Sequence, residues 1–220
     1  MKSSIFAAAL FSTLVLAAAP SVAGGHGGLG FGADVVNRYV WRGSDFGNAM
    51  AVQPSIHYST GSVEVGAWSS WAINGAEGGN ENDLYVSFSA GPVGITITDY
   101  FFPTYGDGAP EFFTFEDSGP HVLEVSASLS LEDMPLGLMA AFNFYGDSED
   151  SFWIEASYDV GEIDETAVSL TVGAGNGVYT SDTDPMVASI GVNVSNDDYF
   201  ASYILNPDKE TTFLVVGKSF

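Results

Sequence analysis

Two arginines near the start of the chain are the residues best placed for electrostatic chemistry. Arg38 and Arg42 are two of only five basic residues, against 28 acidic ones. In a strand they share one face with Asp34, because side chains alternate between faces. The same face of later segments carries Glu64, Asp83, Glu124, Glu155 and Asp159. If this face lines a narrow lumen, unpaired charges are costly there and pairing is expected. The arginines would then either create a transverse field that selects ions or form salt bridges that plug the lumen.

A second set of acidic residues falls between the predicted strands. The set comprises Glu77, Glu81, Asp107, Glu111, Glu116, Asp117, Asp147, Glu149, Asp150, Asp182 and Asp184. Gathered at one end of the molecule, these carboxylates would concentrate cations at a channel mouth. They could also bind divalent ions shared with lipopolysaccharide, or serve solubility alone. Their spacing lacks the pattern of a calcium-binding loop, so we predict no specific metal site and no cofactor.

Residues suited to covalent or acid–base catalysis are sparse. The chain has no cysteine, which excludes thiolate nucleophiles and thiolate metal sites. Of the histidines, His57 lies on the same strand face as Ser55, but no recognisable nucleophile motif surrounds the pair. We therefore expect a protein that is not an enzyme. A barrel lipid hydrolase with a Ser–His pair is the least favoured alternative.

The composition narrows the class of protein further. The net charge is −23 at pH 7, which offers no basic surface for nucleic acid. The chain is nevertheless 46% hydrophobic and 14% aromatic, far from the composition of a disordered acidic polymer. Acidic and apolar residues must therefore be segregated in space.

The first 23 residues have the features of a secretory signal peptide. Lys2 supplies a positive charge, an apolar stretch runs from Ile5 to Ala19, and Ser21–Ala23 provides small residues for cleavage. The apolar stretch is shorter than the roughly 20 residues of a membrane-spanning helix. We predict that residues 1–23 are removed and that residues 24–220 form one exported domain.

Apolar and polar residues alternate in about twelve segments after Gly24, as in Val93–Thr98 and Leu123–Ser130. The polar face is mostly Gly, Ser and Thr. A soluble β-sandwich or lipocalin-like barrel would instead present a charged outer face. Small residues suit a crowded or watery lumen, so the pattern predicts an all-β fold, a closed antiparallel transmembrane β-barrel of about 12 strands.

The connections and aromatic residues support a membrane location. Short turns, such as Thr60–Gly61 and Gly91–Pro92, alternate with longer loops, such as Pro103–Gly119. Aromatic residues on the apolar face cluster near strand ends, as in the interfacial girdles of membrane barrels. They are Tyr39, Trp41, Tyr58, Trp71, Phe88, Phe101, Phe144, Phe152, Tyr158 and Tyr199.

Several segments carry a family resemblance. They are Asn37–Gly43, Ala51–Tyr58, Val65–Ser70 and Glu81–Val86, together with a final amphipathic strand that ends at Phe220. The first four segments resemble the TorF porin family, also called the Gcw_chp family, whereas the final strand resembles the closing strand of outer-membrane proteins. The departure is Lys218, where a hydrophobic residue is more usual in the closing strand of outer-membrane proteins. The resemblance implies an outer-membrane barrel with a porin function and no defined substrate.

The combined expectation is a porin-like channel in the bacterial outer membrane, which lets small solutes or ions diffuse passively and prefers cations. A structural or adhesive barrel with a plugged lumen is the alternative. The expected partners are outer-membrane lipid, lipopolysaccharide, the transported solutes and, during biogenesis, the barrel assembly machinery. The sequence leaves the oligomeric state open.

Overall fold

The computed structural model describes residues 27–74, 80–103, 112–115, 119–131 and 134–220. The strands are β1 (Gly28–Val36), β2 (Tyr39–Trp41), β3 (Ser44–Phe46), β4 (Ala51–Thr60), β5 (Val63–Ala72), β6 (Glu81–Ala90), β7 (Val93–Phe101), β8 (His121–Ser130), β9 (Leu136–Tyr145), β10 (Phe152–Ile163), β11 (Thr166–Gly177), β12 (Thr183–Asn196), β13 (Tyr199–Asn206) and β14 (Thr211–Ser219). Twelve of them, β1 and β4–β14, form a closed antiparallel barrel, so the predicted fold class is confirmed. None of the described residues belongs to a helix that is long and apolar enough to cross a membrane.

The alternating pattern places apolar side chains outside the barrel and polar ones inside. In β6, Leu84 is 47% exposed and Val86 is 42% exposed, whereas Asp83 and Tyr85 between them are buried. Neighbouring strands repeat this arrangement, because directly paired residues lie on the same face of a sheet. The outer surface is therefore a continuous apolar belt.

The two ends of the barrel differ in the length of their connections. At one end, five turns of two to five residues join β4 to β5, β6 to β7, β8 to β9, β10 to β11 and β12 to β13. We call it the short-turn end. The opposite end, with connections of four to nineteen residues, is the long-loop end. This asymmetry matches the prediction and is typical of membrane barrels.

The segment between β1 and β4 departs from the predicted first strand, which extended to Trp41. β1 ends at Val36, and β2 and β3 pair with each other in a separate two-stranded sheet. We call residues 37–50, which contain these strands, the inner hairpin. Its buried side chains contact lumen-facing residues of the surrounding wall, so the hairpin folds into the barrel. Tyr39 and Trp41 are thus inside the lumen, 2% and 6% exposed, and the prediction that they face lipid is wrong.

Two clusters of buried side chains fix the inner hairpin. The larger one contains Tyr39, Trp41, Trp68, Tyr100, Ala141, Trp153, Tyr179 and Ala188, and the smaller one contains Val36, Val40, Ala51, Phe200, Ile204 and Val215. Because the hairpin contributes to both, it packs against opposite sides of the wall. Burying one side chain of this size stabilises the fold by roughly 1.5–3 kcal/mol.

The barrel closes through a short seam between β1 and β14. Within the described residues, Asp34, Val35 and Val36 pair there with Ser219, Lys218 and Gly217, and Ala33 exchanges two backbone hydrogen bonds with Phe220 at 3.0 and 3.3 Å. Asn37 extends the seam, because its side-chain amide donates to the Leu214 carbonyl at 2.9 Å and its side-chain oxygen accepts from the Val216 amide at 2.8 Å. The first residue of the inner hairpin therefore also helps to close the wall.

Candidate functional site

The tip of the inner hairpin is a two-residue turn made by Arg42 and Gly43. Both have positive φ angles, 48° and 76°, as a tight hairpin turn of this kind requires. A side chain at Gly43 would overlap the backbone carbonyl of Ala188 in β12. The Gly43 carbonyl accepts a hydrogen bond from the Asn206 side chain at 3.0 Å. Glycine at this position therefore lets the tip lie directly against the opposite wall.

The turn carries Arg42 into an ion pair with Glu124 of β8. The two guanidinium nitrogens donate to the two carboxylate oxygens at 2.6 and 3.1 Å. Both side chains are almost completely buried, with 4% and 3% exposure. Tyr100 also donates to Glu124, at 3.0 Å, and Arg42 donates to the Tyr179 hydroxyl. The bidentate geometry and these extra bonds offset part of the cost of burying the pair, although the Arg42 Nε has no hydrogen-bond partner among the described residues.

Aromatic rings surround this ion pair. The Arg42 guanidinium lies 4.4 Å from the ring centre of Trp41 and 4.8 Å from that of Tyr179. The Trp41 ring in turn packs at 5.2 Å against Tyr100 and at 5.7 Å against Tyr179. Burial raises the pKa of Tyr179 to about 12, so its hydroxyl stays protonated at neutral pH. The ion pair and the rings thus form one buried layer inside the barrel.

The two predicted arginines do not act together. Arg42 meets an acid across the lumen, as one would expect from either hypothesis for the pair. Arg38 instead binds within the inner hairpin, donating to Asp45 at 2.9 Å and to Asn48 at 2.8 Å. The period-two alternation of the sequence placed both arginines on one face of a single strand. That strand ends at Val36, so Arg38 and Arg42 belong to the inner hairpin and point to different partners.

The other predicted lumenal acids are spread along the barrel. Asp83 is buried beside Glu81, and Glu155 accepts from the Trp153 indole at 3.3 Å. Glu64 accepts from Ser59 at 2.6 Å and from Tyr85 at 2.9 Å near the short-turn end. Asp34 is half-buried at the seam, and Asp159 is exposed beside the turn from β10 to β11. Glu124 alone among the predicted acids pairs with a basic side chain in the described part of the chain.

One residue predicted to lie in an acidic loop at the mouth, Glu81, is instead buried inside the barrel. Glu81 is the first residue of β6, only 1% exposed, and accepts a hydrogen bond from the Tyr39 hydroxyl at 3.0 Å. Its assignment to an acidic loop is therefore wrong, because β6 begins sooner than the pattern indicated. The side chain anchors the inner hairpin instead of facing solvent.

Five of the mouth acids are found at the long-loop end. They are Asp147, Glu149, Asp150, Asp182 and Asp184, whereas Glu77, Asp107, Glu111, Glu116 and Asp117 lie outside the described residues. Partial burial opposes ionisation of Asp147, but hydrogen bonds from Ser151, Asn143 and the Glu149 backbone outweigh it and lower its pKa. Within the described ranges no group of three or more acidic or histidine side chains could hold a metal ion.

A cavity of about 520 Å³ lies at the long-loop end of the lumen, beside the ion pair. We call it the vestibule. Its walls come from the inner hairpin, from the ends of β7 and β8, and from the loops after β9, β11 and β13. Trp41, Tyr100 and Tyr179 belong both to the vestibule and to the aromatic layer around Arg42. The vestibule is therefore bordered by the aromatic layer that surrounds the ion pair.

Sequence reasoning missed the aromatic side of this site. It assigned Tyr39, Trp41 and Phe101 to lipid, although Phe101 is only 6% exposed and packs against Phe112 at 5.1 Å. Two features of the sequence could have indicated the inner hairpin. The polar pair Asn37–Arg38 interrupts the alternation after β1, and Gly43 suits a tight turn between two short strands. The outward position predicted for Tyr58 and Tyr199 is confirmed, with exposures of 46% and 60%.

Comparisons with known proteins give one family match. The family model described as a bacterial protein of unknown function, Gcw_chp, matches residues 22–212. Among solved structures, a triple mutant of the porin from Rh. blastica is similar over 89% of this chain and 99% of its own, with 13% sequence identity and a TM-score of 0.36. A likeness this distant says nothing about function. No curated protein matches the chain.

Proposed function

Because the chain belongs to the Gcw_chp family of bacterial proteins of unknown function, we propose its activity from its geometry: a porin-like outer-membrane channel for small solutes or ions. The inner hairpin is the gate of this channel. The observation that carries the proposal is a closed barrel that contains, packed against its inner surface, an element that is not part of its wall. A separate element can leave the lumen while all wall strands stay paired.

The outer surface supports the membrane location. Leu84, Val86, Ile95 and Ile97 lie on neighbouring strands, and each is between 42% and 47% exposed. An apolar belt of this extent is unfavourable in water and is what a bilayer requires. A closed barrel also satisfies the backbone polar groups of its wall without water. Export by a signal peptide at residues 1–23 belongs to the same proposal.

The charge of the protein supports a preference for cations. The net charge is −23, and Asp147, Glu149 and Asp150 follow one another closely at the long-loop end. Such a mouth raises the local concentration of cations and repels anions. Divalent ions bridging these acids to lipopolysaccharide phosphates would bind at the same end.

A second candidate is a structural or adhesive barrel that never conducts. The buried ion pair of Arg42 and Glu124 favours this reading, because breaking a buried bidentate pair inside an aromatic layer is costly. A lipid hydrolase has less support. Both ring nitrogens of His121 are occupied, by Asp99 at 2.8 Å and by the Phe112 carbonyl at 2.7 Å.

Planar-bilayer conductance, with and without the gate, separates the two candidates. Val36 and Ala51 are directly paired, so a short Gly-Ser turn can replace residues 38–49 while Asn37 and the seam remain. A channel gives small or rarely open steps in the intact protein and large, steady steps without the gate. In a salt gradient, the reversal potential should show cation preference. If neither protein conducts although both are folded barrels, the lumen is filled and the channel proposal is wrong.

A further inference from the structure

The vestibule has aromatic walls on several sides. Trp41 and Phe46 come from the inner hairpin, Tyr100 and Phe102 from the end of β7, and Tyr179 from the loop after β11. Trp41, Tyr100 and Tyr179 are almost completely buried, whereas Phe46 and Phe102 are half-buried and offer ring surface against which a ring of a ligand can stack. The volume of about 520 Å³ lies within the range of small-molecule pockets.

Polar groups line the same cavity as these rings. Asn143, Ser44 and Ser148 border the cavity with groups that can both donate and accept hydrogen bonds. The Lys209 ammonium lies at its edge and donates to the Ser44 hydroxyl at 2.9 Å. Asp147 completes the set and offers carboxylate oxygens as acceptors. The cavity thus combines donors and acceptors with apolar faces.

The charges around the vestibule are nearly balanced. Asp45 is paired with Arg38 at 2.9 Å, and Arg42 is paired with Glu124 beneath the floor. Asp147 and Lys209 remain, one of each sign. A site for an organic cation would show an excess of carboxylates, and a site for an anion would show an excess of basic groups. Neither excess is present among the described residues around the cavity.

We propose that the vestibule binds a neutral saccharide of one or two rings. Sugar rings carry apolar C–H faces that stack on aromatic side chains, while their hydroxyls each donate and accept hydrogen bonds. Aromatic walls, mixed hydrogen-bonding groups and balanced charge meet these needs together. Binding at the vestibule does not require an open lumen, so this proposal can be tested independently of conduction.

The test uses the refolded full-length protein and four probes: glucose, maltose, benzylammonium and gluconate. Trp41 lines the vestibule, so tryptophan fluorescence reports binding there, and titration calorimetry gives an independent affinity. Phe102→Leu removes one flat face and keeps an apolar side chain of similar size. Phe144→Leu is the matched control, because Phe144 lies near the same end of the barrel but faces outward with 48% exposure.

We expect saturable binding of glucose or maltose that is weakened about fivefold by Phe102→Leu, the loss of one aromatic stacking contact. Phe144→Leu should leave the affinity unchanged. The proposal is overturned if neither sugar saturates, if benzylammonium or gluconate binds and the sugars do not, or if both leucine variants bind sugar equally well. A conductance failure with intact sugar binding would remove the channel and leave the saccharide site.

Discussion

Glu124→Gln removes the negative charge of the lumenal ion pair with little change in shape. The side-chain oxygen that remains can still accept from the Tyr100 hydroxyl, now at 3.0 Å, but Arg42 loses its counter-charge. Leaving one member of a buried ion pair unpaired costs about 3–5 kcal/mol. The rings of Trp41 and Tyr179, at 4.4 and 4.8 Å, still hold the guanidinium and favour the lower end of that range.

A loss of about 3 kcal/mol should raise the undocked population of the inner hairpin more than about 100-fold, since each 1.4 kcal/mol is a factor of ten. The absence of cysteine from the chain allows a direct assay. A cysteine introduced by Val40→Cys, at a position 3% exposed, reacts with a maleimide only when the hairpin leaves the lumen. Glu124→Gln should speed this labelling about 100-fold and raise the open probability in planar bilayers.

The double variant Arg42→Met/Glu124→Gln is the control. It removes both charges of this pair, so neither partner is left as an unpaired ion, and labelling should return most of the way to the rate of the parent protein. The reasoning is refuted if Glu124→Gln labels at the parent rate. It is equally refuted if the double variant labels as fast as Glu124→Gln, because the unpaired charge would then not be the cause.

Three further outcomes are expected. Gly43→Ala should undock the hairpin tip, because the added methyl group overlaps the Ala188 carbonyl. Maleimide labelling of Val40→Cys should then accelerate, while the barrel itself still melts at the parent temperature. Asn37→Ala should weaken the seam by about 1–3 kcal/mol, because two side-chain hydrogen bonds are lost. The barrel should then undergo its heat-induced gel shift at a lower temperature. An unchanged transition temperature would contradict the role of Asn37 in the seam. The pKa of Asp147 is lower in the fold than in the unfolded chain, so its stabilisation of the loop after β9 is complete at neutral pH and is lost as the pH falls through the lowered value. Protease cleavage of that loop should rise in acid in the parent protein and be less pH-dependent in Asp147→Asn.

The fold was predictable because a barrel wall repeats one simple rule. Each strand is long enough to show period-two alternation, and short turns separate the hairpins, so the strand count and the facing of Leu84 and Tyr85 follow from the sequence. Twelve strands also follow from the number of alternating segments. The signal peptide at residues 1–23 remains a prediction, since these residues lie outside the described part of the chain.

The candidate site was only partly predictable, because it depends on an element that leaves the wall. Alternation continues from β1 through Tyr39 and Trp41, and nothing in a period of two distinguishes a strand facing lipid from one packed inside a barrel. Arg42 meets an acid across the lumen, yet Glu124 could not be singled out in the sequence among several candidate acids. That choice is set by where the hairpin tip reaches, which is a matter of three-dimensional distance.

The contacts of the inner hairpin with the end of the chain tie its docking to the closure of the wall. Gly43 accepts from Asn206, Ser44 accepts from Lys209, and Arg38 lies 5.6 Å from the ring centre of Phe213. All three partners belong to β13, to β14 or to the turn between them. The hairpin cannot complete its docking until these two strands are in place, and the same strands close the wall. Damage to this region of the chain would therefore open the seam and release the hairpin together.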